Sequence, residues 1–443
     1  MKQNLITKIT FCGLLLNGLY GQAQKTNLEV NTTNTVTKIQ PTMYGVFFED
    51  INFAADGGLY AEMIKNRSFE FEAPLMGWEQ PNSDKHSFNT TSGIATTIKA
   101  LENKTNPSFC RVLINDAKGF SMINEGFRGM GIKKDAKYNL SLKAANHNGE
   151  IKKIIIQFID KNKNVLGETT IVPTSNDWKG YTAQFTATQT EAKAQLKITF
   201  EGNGTIDLDM ISLFPEDTWK GRKNGLRKDL VQLLYDMKPG FLRFTGGCIV
   251  EGRTLSDRYQ WKKSVGNVEN RETKMNRWNV EFNHKQTPDY FQSFGLGFFE
   301  YFQLSEDIGA EPLPILSCGM ACQYNTGELA PLEELDPYVQ DALDLIEFAN
   351  GAVTTNWGKI RSDMGHPKPF NLKYIGVGNE QWGPDYIDRF KVFEKAIKAK
   401  YPNIIIVSGS GPSPKGEHFD YAMAELKKLN AELVDEHYYE SPK

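Results

Sequence analysis

The spacing of polar and hydrophobic residues differs between regions of this chain. Between about residues 76 and 216, short runs alternate apolar and polar side chains and are separated by Gly, Asn and Asp. Alternation with a period of two predicts strands that bury one face, and no helical period interrupts them. We therefore expect an all-β sandwich of the jelly-roll type in this stretch. Its clearest runs begin at Tyr138, Lys153, Gly180, Ala194 and Ile206.

From residue 217 onward, helical periodicity alternates with short apolar runs. Repeated units of this kind predict a parallel sheet covered by helices. Asp336 is expected to cap one helix, with Pro337 in its first turn and Gly351 past its end. The predicted helices are 226–237, 291–308, 337–350, 386–397 and 419–429, and the predicted strands are 241–244, 313–317, 372–377, 403–408 and 432–435.

Polar residues follow the end of every predicted strand in this region. A doubly wound sheet would concentrate them at one switch point, whereas a closed barrel distributes them around its carboxyl edge. The pattern therefore predicts an α/β fold of the (β/α)8 TIM-barrel type, with the sandwich inserted after the first barrel strand. About six barrel strands can be counted, so we expect an incomplete barrel that is cut short at its C-terminus. The strand-end residues are Glu49, Gly246-Gly247-Cys248, Ser317-Cys318, Asn379-Glu380, Ser408-Gly409 and Glu436 to Tyr439.

The N-terminus resembles a secretory signal. Lys2 and Lys8 carry positive charge, an apolar stretch follows, and small residues precede a cleavage site after Ala23. This predicts a secreted or periplasmic protein, and no segment is long and apolar enough to span a membrane. The predicted domains are a signal peptide at 1–23, a β leader with the first barrel strand at 24–75, a carbohydrate-binding-like sandwich at 76–216 and a truncated catalytic barrel at 217–443.

Composition and charge narrow the function classes. The 443 residues are 40% hydrophobic and 12% aromatic, which supports sizeable cores. The formal net charge is −3 and no basic stripe occurs, so a nucleic-acid partner is not expected. The spacing of Cys318 and Cys322 is not a zinc pattern, and the six histidines are scattered. We therefore predict no metal and no cofactor.

The segment from Leu372 to Gly383 is the most informative one. An apolar strand ends in an amide, a carboxylic acid, a second amide and an indole. An acid beside an indole, here Glu380 beside Trp382, can have a raised pKa and act as a proton donor. The alternative is that Asn379 and Glu380 only cap the helix that follows. We favour the first interpretation because capping requires neither the indole nor the flanking amides.

Four groups of motifs, taken together, are highly specific. They are Met43–Asp50 with Gly57-Gly58-Leu59-Tyr60 and Asn66-Arg67-Ser68-Phe69; Leu242-Arg243-Phe244-Thr245-Gly246-Gly247-Cys248; Gly376-Val377-Gly378-Asn379-Glu380-Gln381-Trp382; and Asp435-Glu436-His437-Tyr438-Tyr439. With them the chain resembles the α-L-arabinofuranosidases of glycoside hydrolase family 51, in particular the exported bacterial type with a carbohydrate-binding-like insertion. The resemblance covers about residues 40–75 and 216–443. The Asn-Glu pair alone would indicate only a large clan of retaining barrel hydrolases.

This resemblance implies roles for individual residues. Glu380 would be the general acid/base, and Asn379 would hydrogen-bond the sugar 2-hydroxyl. Glu49 would bind the arabinofuranose hydroxyls. His437 and Tyr439 would line the same subsite.

Two further positions belong to the expected substrate site. Trp382 is counted among the substrate-binding residues. Cys248 stands where many members carry a sugar-binding asparagine, so its contact would be weaker, and it could equally be a buried hydrophobic residue. Thr245 occupies a position where proline is commoner.

The resemblance places the nucleophile on a glutamate that ends the seventh barrel strand, after the six strands counted here. We therefore expect that it is not in this chain, and that the chain as printed lacks activity. Glu436 and Glu440 also lie near the last strand end. We interpret both as surface or helper residues.

The implied function is a retaining exo-glycosidase (EC 3.2.1.55) of L-arabinose catabolism. It would release terminal non-reducing α-L-arabinofuranosyl residues from arabinan or arabinoxylan. Its partners would be arabinose-containing plant polysaccharides or oligosaccharides, and a homo-oligomer is compatible with the sequence. One alternative is another retaining barrel hydrolase, similar to a xylanase or glucanase. The other is a non-catalytic glycan-binding protein, if the chain really ends at Lys443.

Overall fold

A computed structural model describes residues 28–30, 33, 37–73, 75–81, 92–100, 104–116, 119–147, 150–281 and 289–441. The chain divides into two units, residues 1–43 and 44–443, and every helix and strand given below belongs to the second. The predicted signal peptide lies outside the described residues, as do residues 24–27, 31, 32 and 34–36 of the predicted β leader.

The strands form one parallel sheet, two larger antiparallel sheets and one pair of short strands. In chain order they are β1 (Val46–Phe47), β2 (Trp78–Glu79), β3 (Gly93–Lys99), β4 (Ser108–Ile114), β5 (Phe120–Asn124), β6 (Met130–Ile132), β7 (Lys137–Asn146), β8 (Lys153–Ile159), β9 (Val165–Ile171), β10 (Lys179–Thr186), β11 (Glu191–Glu201), β12 (Gly204–Pro215), β13 (Phe241–Phe244), β14 (Lys274–Met275), β15 (Phe291–Gln292), β16 (Glu311–Leu316), β17 (Tyr374–Val377), β18 (Ile405–Gly409) and β19 (Leu433–Asp435).

The helices all follow the antiparallel sheets in the chain. They are α1 (Lys228–Met237), α2 (Cys248–Glu251), α3 (Arg277–Glu281), α4 (Phe298–Ile308), α5 (Asp336–Asn350), α6 (Asn356–Asp363), α7 (Pro384–Lys400) and α8 (Glu417–Lys428). Single 3-10 turns occur at Trp219–Gly221, Leu255–Asp257, Trp261–Ser264, Val268–Asn270 and Leu332–Glu334.

The parallel sheet contains six strands that pair in the order β1-β13-β16-β17-β18-β19. Each neighbouring pair is parallel; Val46 lies opposite Leu242, and Tyr374 lies opposite Ile405. Because no strand reverses the order, all carboxyl ends lie along one curled edge, as in a TIM barrel. The prediction of a barrel-type sheet with about six strands is confirmed, in the form of a half-barrel.

Aromatic residues of α4 pack this helix against the parallel sheet. Phe298, Tyr301 and Phe302 of α4 are buried. Phe244 of β13 stacks on Tyr301 with ring centroids 4.9 Å apart and meets Phe302 edge-on at 5.5 Å. Such pairs contribute roughly 0.5–1.5 kcal/mol beyond the area that they bury. They fix α4 directly behind the strand that leads into Gly246-Gly247-Cys248.

Two antiparallel sheets occupy residues 78–215. One has the order β10-β7-β12-β4-β3; the other has the order β2-β5-β11-β8-β9, with β6 beside β11. The apolar positions of both sheets form one cluster of buried residues, which includes Phe158, Phe200 and Leu208. The all-β structure predicted for this region from the alternation of apolar and polar residues is therefore confirmed.

Two details of the sequence-based prediction are wrong. The helix expected at 291–308 begins only at Phe298, and Phe291–Gln292 instead pairs with Lys274–Met275. The helix starts after Gly297, its cap residue, whose N–H donates to Glu300 Oε2 at 2.9 Å. Asp336 is the first residue of α5 and does not cap it; Leu335 occupies the cap position.

None of the helices in the described part of the chain combines the length and apolar character required to cross a membrane.

The burial of α4 can be tested by making the same substitution, Leu to Ala, at one buried and one exposed position. Leu304 of α4 is 1% exposed, whereas Leu233 of α1 is 63% exposed. Leu304→Ala removes buried methyl groups and leaves a cavity, so we expect it to lower the free energy of unfolding by about 2–5 kcal/mol. Leu233→Ala should change it by less than about 0.5 kcal/mol. Denaturant titration of both variants measures the difference, and equal losses would contradict the assigned burial.

Candidate active site

The candidate site lies at the carboxyl edge of the parallel sheet. Glu49 follows β1, Cys248 follows β13, Asn379 and Glu380 follow β17, and His437 follows β19. These residues come from four strands that are distant in sequence. The fold brings all of the sequence-predicted residues to the same edge.

The carboxylate of Glu380 is the centre of the site. Its side chain is 11% exposed, and its Oε1 lies 2.7 Å from His437 Nδ1. The Cys248 thiol donates to its Oε2 at 3.7 Å. The carboxylate is thus held on both oxygens and retains limited access to solvent.

Arg243 of β13 connects this centre to the rest of the sheet. Its guanidinium donates to Asp435 Oδ2 from Nη2 at 2.8 Å and from Nε at 3.1 Å. Nη2 also donates to Asn379 Oδ1 at 2.8 Å, and Nη1 donates to the Gly246 carbonyl at 2.9 Å. Asp435 in turn lies 3.3 Å from His437 Nε2. One cation therefore positions both residues that flank Glu380.

The backbone at Glu380 adopts a left-handed conformation, with φ of 56°. For a residue with a Cβ this conformation is strained and requires support from its surroundings. Asn379 Nδ2 and Gln381 Nε2 donate to the same oxygen of Glu251, at 3.2 and 2.9 Å. Gln381 Oε1 also accepts from the Asn379 backbone N–H. The two amides beside Glu380 thus hold the turn and do not cap a helix.

The capping alternative is therefore wrong for Asn379 and Glu380. α7 begins at Pro384, and its cap position is Gly383, which has no side-chain cap. The amide of Asn379 is used by Arg243 and Glu251.

The Glu49 side chain packs against the backbone of Gly246 and Gly247. A Cβ at Gly246 would lie 2.7 Å from Glu49 Cγ, and one at Gly247 would lie 3.2 Å from its Oε2. Any larger residue at Gly246 would displace the carboxylate. Glu49 Oε1 is buried and has no hydrogen-bond partner among the described residues. This free acceptor suits a hydroxyl group of a ligand.

The prediction that the pKa of Glu380 is raised is wrong. Burial acts to raise the pKa of Glu380, but the hydrogen bond and positive charge of His437, together with Cys248 and Tyr439, outweigh it and lower the pKa below its ordinary value. The indole of Trp382 packs against two other rings. It lies 5.0 Å from the Tyr324 ring and 5.2 Å from the His418 ring, measured between centroids.

His437 has the opposite shift. Burial acts to lower its pKa, but the hydrogen bonds to Asp435 and Glu380 and the charge of Asp435 raise the pKa to about 9. The imidazole is thus protonated at neutral pH and lies between two carboxylates. The site therefore holds a proton next to Glu380 even though Glu380 itself is ionised.

An open cleft of about 310 Å³ gives access to Glu380. Tyr439 is 80% exposed and lines this cleft together with Tyr324 and the segment from Pro412 to Pro414. Trp382 stands beside it, and both its backbone N–H and its carbonyl bond to the Gln323 side chain, at 2.9 and 3.1 Å. The cleft is wide enough for a small sugar residue and lined by groups that stack on or bond to one.

Sequence reasoning missed several residues of the site. Arg243, Asp435, Glu251, Gln381 and Tyr324 received no role, although the first four form its hydrogen-bond framework. Arg243 could have been found, because it is a charged residue within the apolar strand Phe241–Phe244. Tyr324 follows a loop without periodicity and gives no such signal.

Among the described residues, one group has the donor atoms for a metal ion. Cys248, Glu251 and Cys322 place their ligand atoms within 4.8 Å of one another. All four cysteines in the described part of the chain are free thiols.

Comparison with known proteins agrees with this geometry. A family model described as the α-L-arabinofuranosidase 1 domain matches residues 233–443. An extracellular exo-α-L-arabinofuranosidase of Streptomyces chartreusis is 41% identical over 429 residues, which are 91% of this chain and 48% of the relative. α-L-Arabinofuranosidase 1 of Arabidopsis thaliana is 34% identical over 413 residues, 89% of this chain and 58% of the relative.

A solved structure of an arabinose-bound MgGH51 α-L-arabinofuranosidase matches with a TM-score of 0.75 and 28% identity. The match covers 85% of this chain and 60% of that structure. The chain spans about half the length of the curated relatives that it matches. Over the part that it covers, the chain belongs to the α-L-arabinofuranosidases of glycoside hydrolase family 51.

Proposed function

We propose that the protein is a retaining exo-glycosidase that releases terminal non-reducing α-L-arabinofuranosyl residues. The observation that carries this proposal is the Glu380 carboxylate, which faces an open cleft at the carboxyl edge of the barrel and is bonded to His437. The names of the relatives support the choice of sugar. Arabinan, arabinoxylan and their oligosaccharides are the proposed substrates, within L-arabinose catabolism.

In this proposal Glu380 acts as the general acid/base. It gives a proton to the glycosidic oxygen as the bond to the sugar breaks, and later takes a proton from the water that attacks the intermediate. Retention requires a second carboxylate about 5–5.5 Å away as nucleophile. We assign the nucleophile to none of the residues that the structure describes.

The proton for the first step is held by His437. Its Nδ1 lies 2.7 Å from Glu380 Oε1, and its pKa of about 9 keeps it protonated at neutral pH. When negative charge develops on the departing oxygen, the proton can pass from His437 to Glu380 and from Glu380 to that oxygen. Glu380 then needs no raised pKa of its own in the free protein.

The other predicted residues have roles in holding the sugar. Glu49 offers its unpartnered Oε1 to a hydroxyl group. Asn379 would bond the 2-hydroxyl, and His437 and Tyr439 would line the same subsite. Cys248 contributes a thiol at the side of Glu380. Trp382 and Tyr324 would contact the part of the substrate that departs.

We further propose the domain division 1–23, 24–75, 76–216 and 217–443. The two antiparallel sheets that share one core support a jelly-roll sandwich of the carbohydrate-binding type at 76–216. The extracellular Streptomyces relative supports secretion. A secreted enzyme would meet arabinose-containing polysaccharides of plants directly.

Replacing Glu380 with Ala tests the function and the role together. In the full-length protein, Glu380→Ala should slow arabinose release from arabinoxylan by about 10²–10⁴-fold, because the alkoxide leaving group needs a proton. An aryl arabinofuranoside with a good leaving group should lose much less in the first step, and azide should restore its turnover.

The natural protein is the control, assayed for arabinose from both substrates. Equal losses on the two substrates without azide rescue would remove Glu380 from the acid/base role. Internal cleavage of xylan or glucan without arabinose release would favour the alternative barrel hydrolase.

The pKa of His437 predicts a pH dependence of stability. The pKa rises from its ordinary 6.5 to about 9 on folding, so the stabilisation is complete below pH 6.5 and is lost as pH rises through about 9. The excess stability of the natural protein over His437→Gln should therefore shrink by about 3 kcal/mol between about pH 6 and pH 10. Denaturant titrations at several pH values measure it. In an Asp435→Asn background the dependence should weaken, and a difference constant with pH would contradict the assignment.

The proposed domains predict different behaviour for two fragments. Residues 76–216 should fold alone and unfold cooperatively, because both sheets are included and share one core. Residues 217–443 should be poorly stable, because β13 loses its pairing with β1. Thermal unfolding of the separate pieces tests both statements. A cooperative, monomeric 217–443 fragment would contradict the predicted dependence of the barrel on β1.

A further inference from the structure

A cluster of two thiols and one carboxylate lies next to Glu380, and only one of its members, Cys248, has a role in the proposed hydrolysis. Cys248 Sγ, Cys322 Sγ and a Glu251 carboxylate oxygen are all within 4.8 Å of one another. Glu251 is 1% exposed and Cys322 is 5% exposed, while Cys248 is half-buried and faces Glu380. Two of the three donors are therefore buried, and the third lies next to Glu380.

Two rigid segments hold these donors. Cys248 and Glu251 are the first and last residues of the single turn α2, and a spacing of three places them on one face. Cys322 comes from the loop after β16, and its N–H donates to the Gly252 carbonyl at 3.0 Å. This backbone bond fixes the third donor relative to the other two. The site is thus preformed by the chain.

The cluster is surrounded by hydrogen-bond donors of the kind that orient metal ligands. Ligating carboxylates are usually hydrogen-bonded through their other atoms. Here the Asn379 and Gln381 amides both donate to Glu251 Oε2, at 3.2 and 2.9 Å, and the carboxylate is also hydrogen-bonded to the Cys322 thiol, a bond that an ion would replace. Arg277 donates from Nη1 to the Cys248 carbonyl at 2.6 Å, so its positive charge lies beside the thiols.

The charge and the chemistry of the three donors indicate which cation they would bind. Two thiolates and a carboxylate carry −3, a divalent ion brings this to −1, and Arg277 offsets the remainder. Sulfur ligands select soft or borderline cations over Mg²⁺ or Ca²⁺, and three protein ligands with one open position are the arrangement of a tetrahedral Zn²⁺ site with an exchangeable ligand.

We propose that Cys248, Glu251 and Cys322 bind one Zn²⁺-like divalent cation. Its fourth position faces the cleft beside Glu380. Binding releases the thiol protons and turns Cys248 Sγ from Glu380 Oε2 toward the ion. The proposal concerns metal binding itself and does not depend on the proposed glycosidase activity.

Cobalt substitution tests the proposal without any variant. The metal-free, reduced protein is titrated with Co²⁺ and followed by absorbance, since thiolate ligation produces a near-ultraviolet charge-transfer band and tetrahedral geometry produces intense visible bands. We expect both, with saturation at one ion per chain and displacement by Zn²⁺. Saturation without a thiolate band would overturn the proposal, because the ion would then be bound elsewhere.

Variants then identify the ligands. Cys322→Ser should weaken Zn²⁺ binding by about 100-fold or more and reduce the thiolate band, since loss of supporting groups alone costs 10–100-fold. Glu251→Gln should weaken binding but keep the band. Cys318→Ala is the matched control, because Cys318 is a buried free thiol of the same loop outside the cluster, and it should bind normally.

Two results would contradict this assignment of ligands. One is unchanged affinity in a folded Cys322→Ser variant. The other is a disulfide-linked peptide pair containing Cys248 and Cys322 in protein that was never reduced, because such a pair has no thiolate to offer.

Discussion

The guanidinium of Arg243 is the constraint on which the candidate site depends. It leaves β13, the second strand of the half-barrel, and bonds Asn379 after the fourth strand and Asp435 on the sixth. In a TIM barrel, side chains from alternate strands point into the same interior layer. Arg243 is the charged member of such a layer.

Burying this cation requires partners, because an unpaired buried charge is strongly destabilising. Asp435 supplies the opposite charge, and Asn379 and Gly246 supply neutral acceptors. The remaining groups of the site follow from this pairing. Asp435 is positioned to bond His437, which bonds Glu380, while Asn379 is positioned to bond Glu251. The acceptors that Arg243 requires in the barrel interior therefore also fix the positions of the residues around Glu380 at the barrel edge.

Much of this arrangement could be predicted from the sequence, and the rest could not for physical reasons. Period-two and helical patterns located β7, β8 and β11 and the helices α5, α7 and α8, because burial of one face imposes that pattern. The same logic placed Glu49, Glu380 and His437 at strand ends. The sign of the Glu380 pKa shift could not be predicted, since it depends on the distance between Glu380 and His437, residues 57 positions apart in the chain. The thiol–carboxylate cluster was missed because Cys248 and Glu251 of α2 meet Cys322, which is 71 positions further along the chain than Glu251.

The pairing of Val46 with Leu242 has a consequence for how the chain reaches this structure. The two partners are neighbours in one sheet but are separated by 196 positions, since 242 − 46 = 196. Closing so long a flexible loop is entropically unfavourable and slow, because the cost precedes the contacts that offset it. The intervening antiparallel sheets change this situation when they form first. A folded insert would hold its two ends, Trp78 and Pro215, at a fixed separation and so shorten the flexible chain that remains to be ordered between β1 and β13. Early folding of the insert would therefore speed the pairing of the first strand with the second.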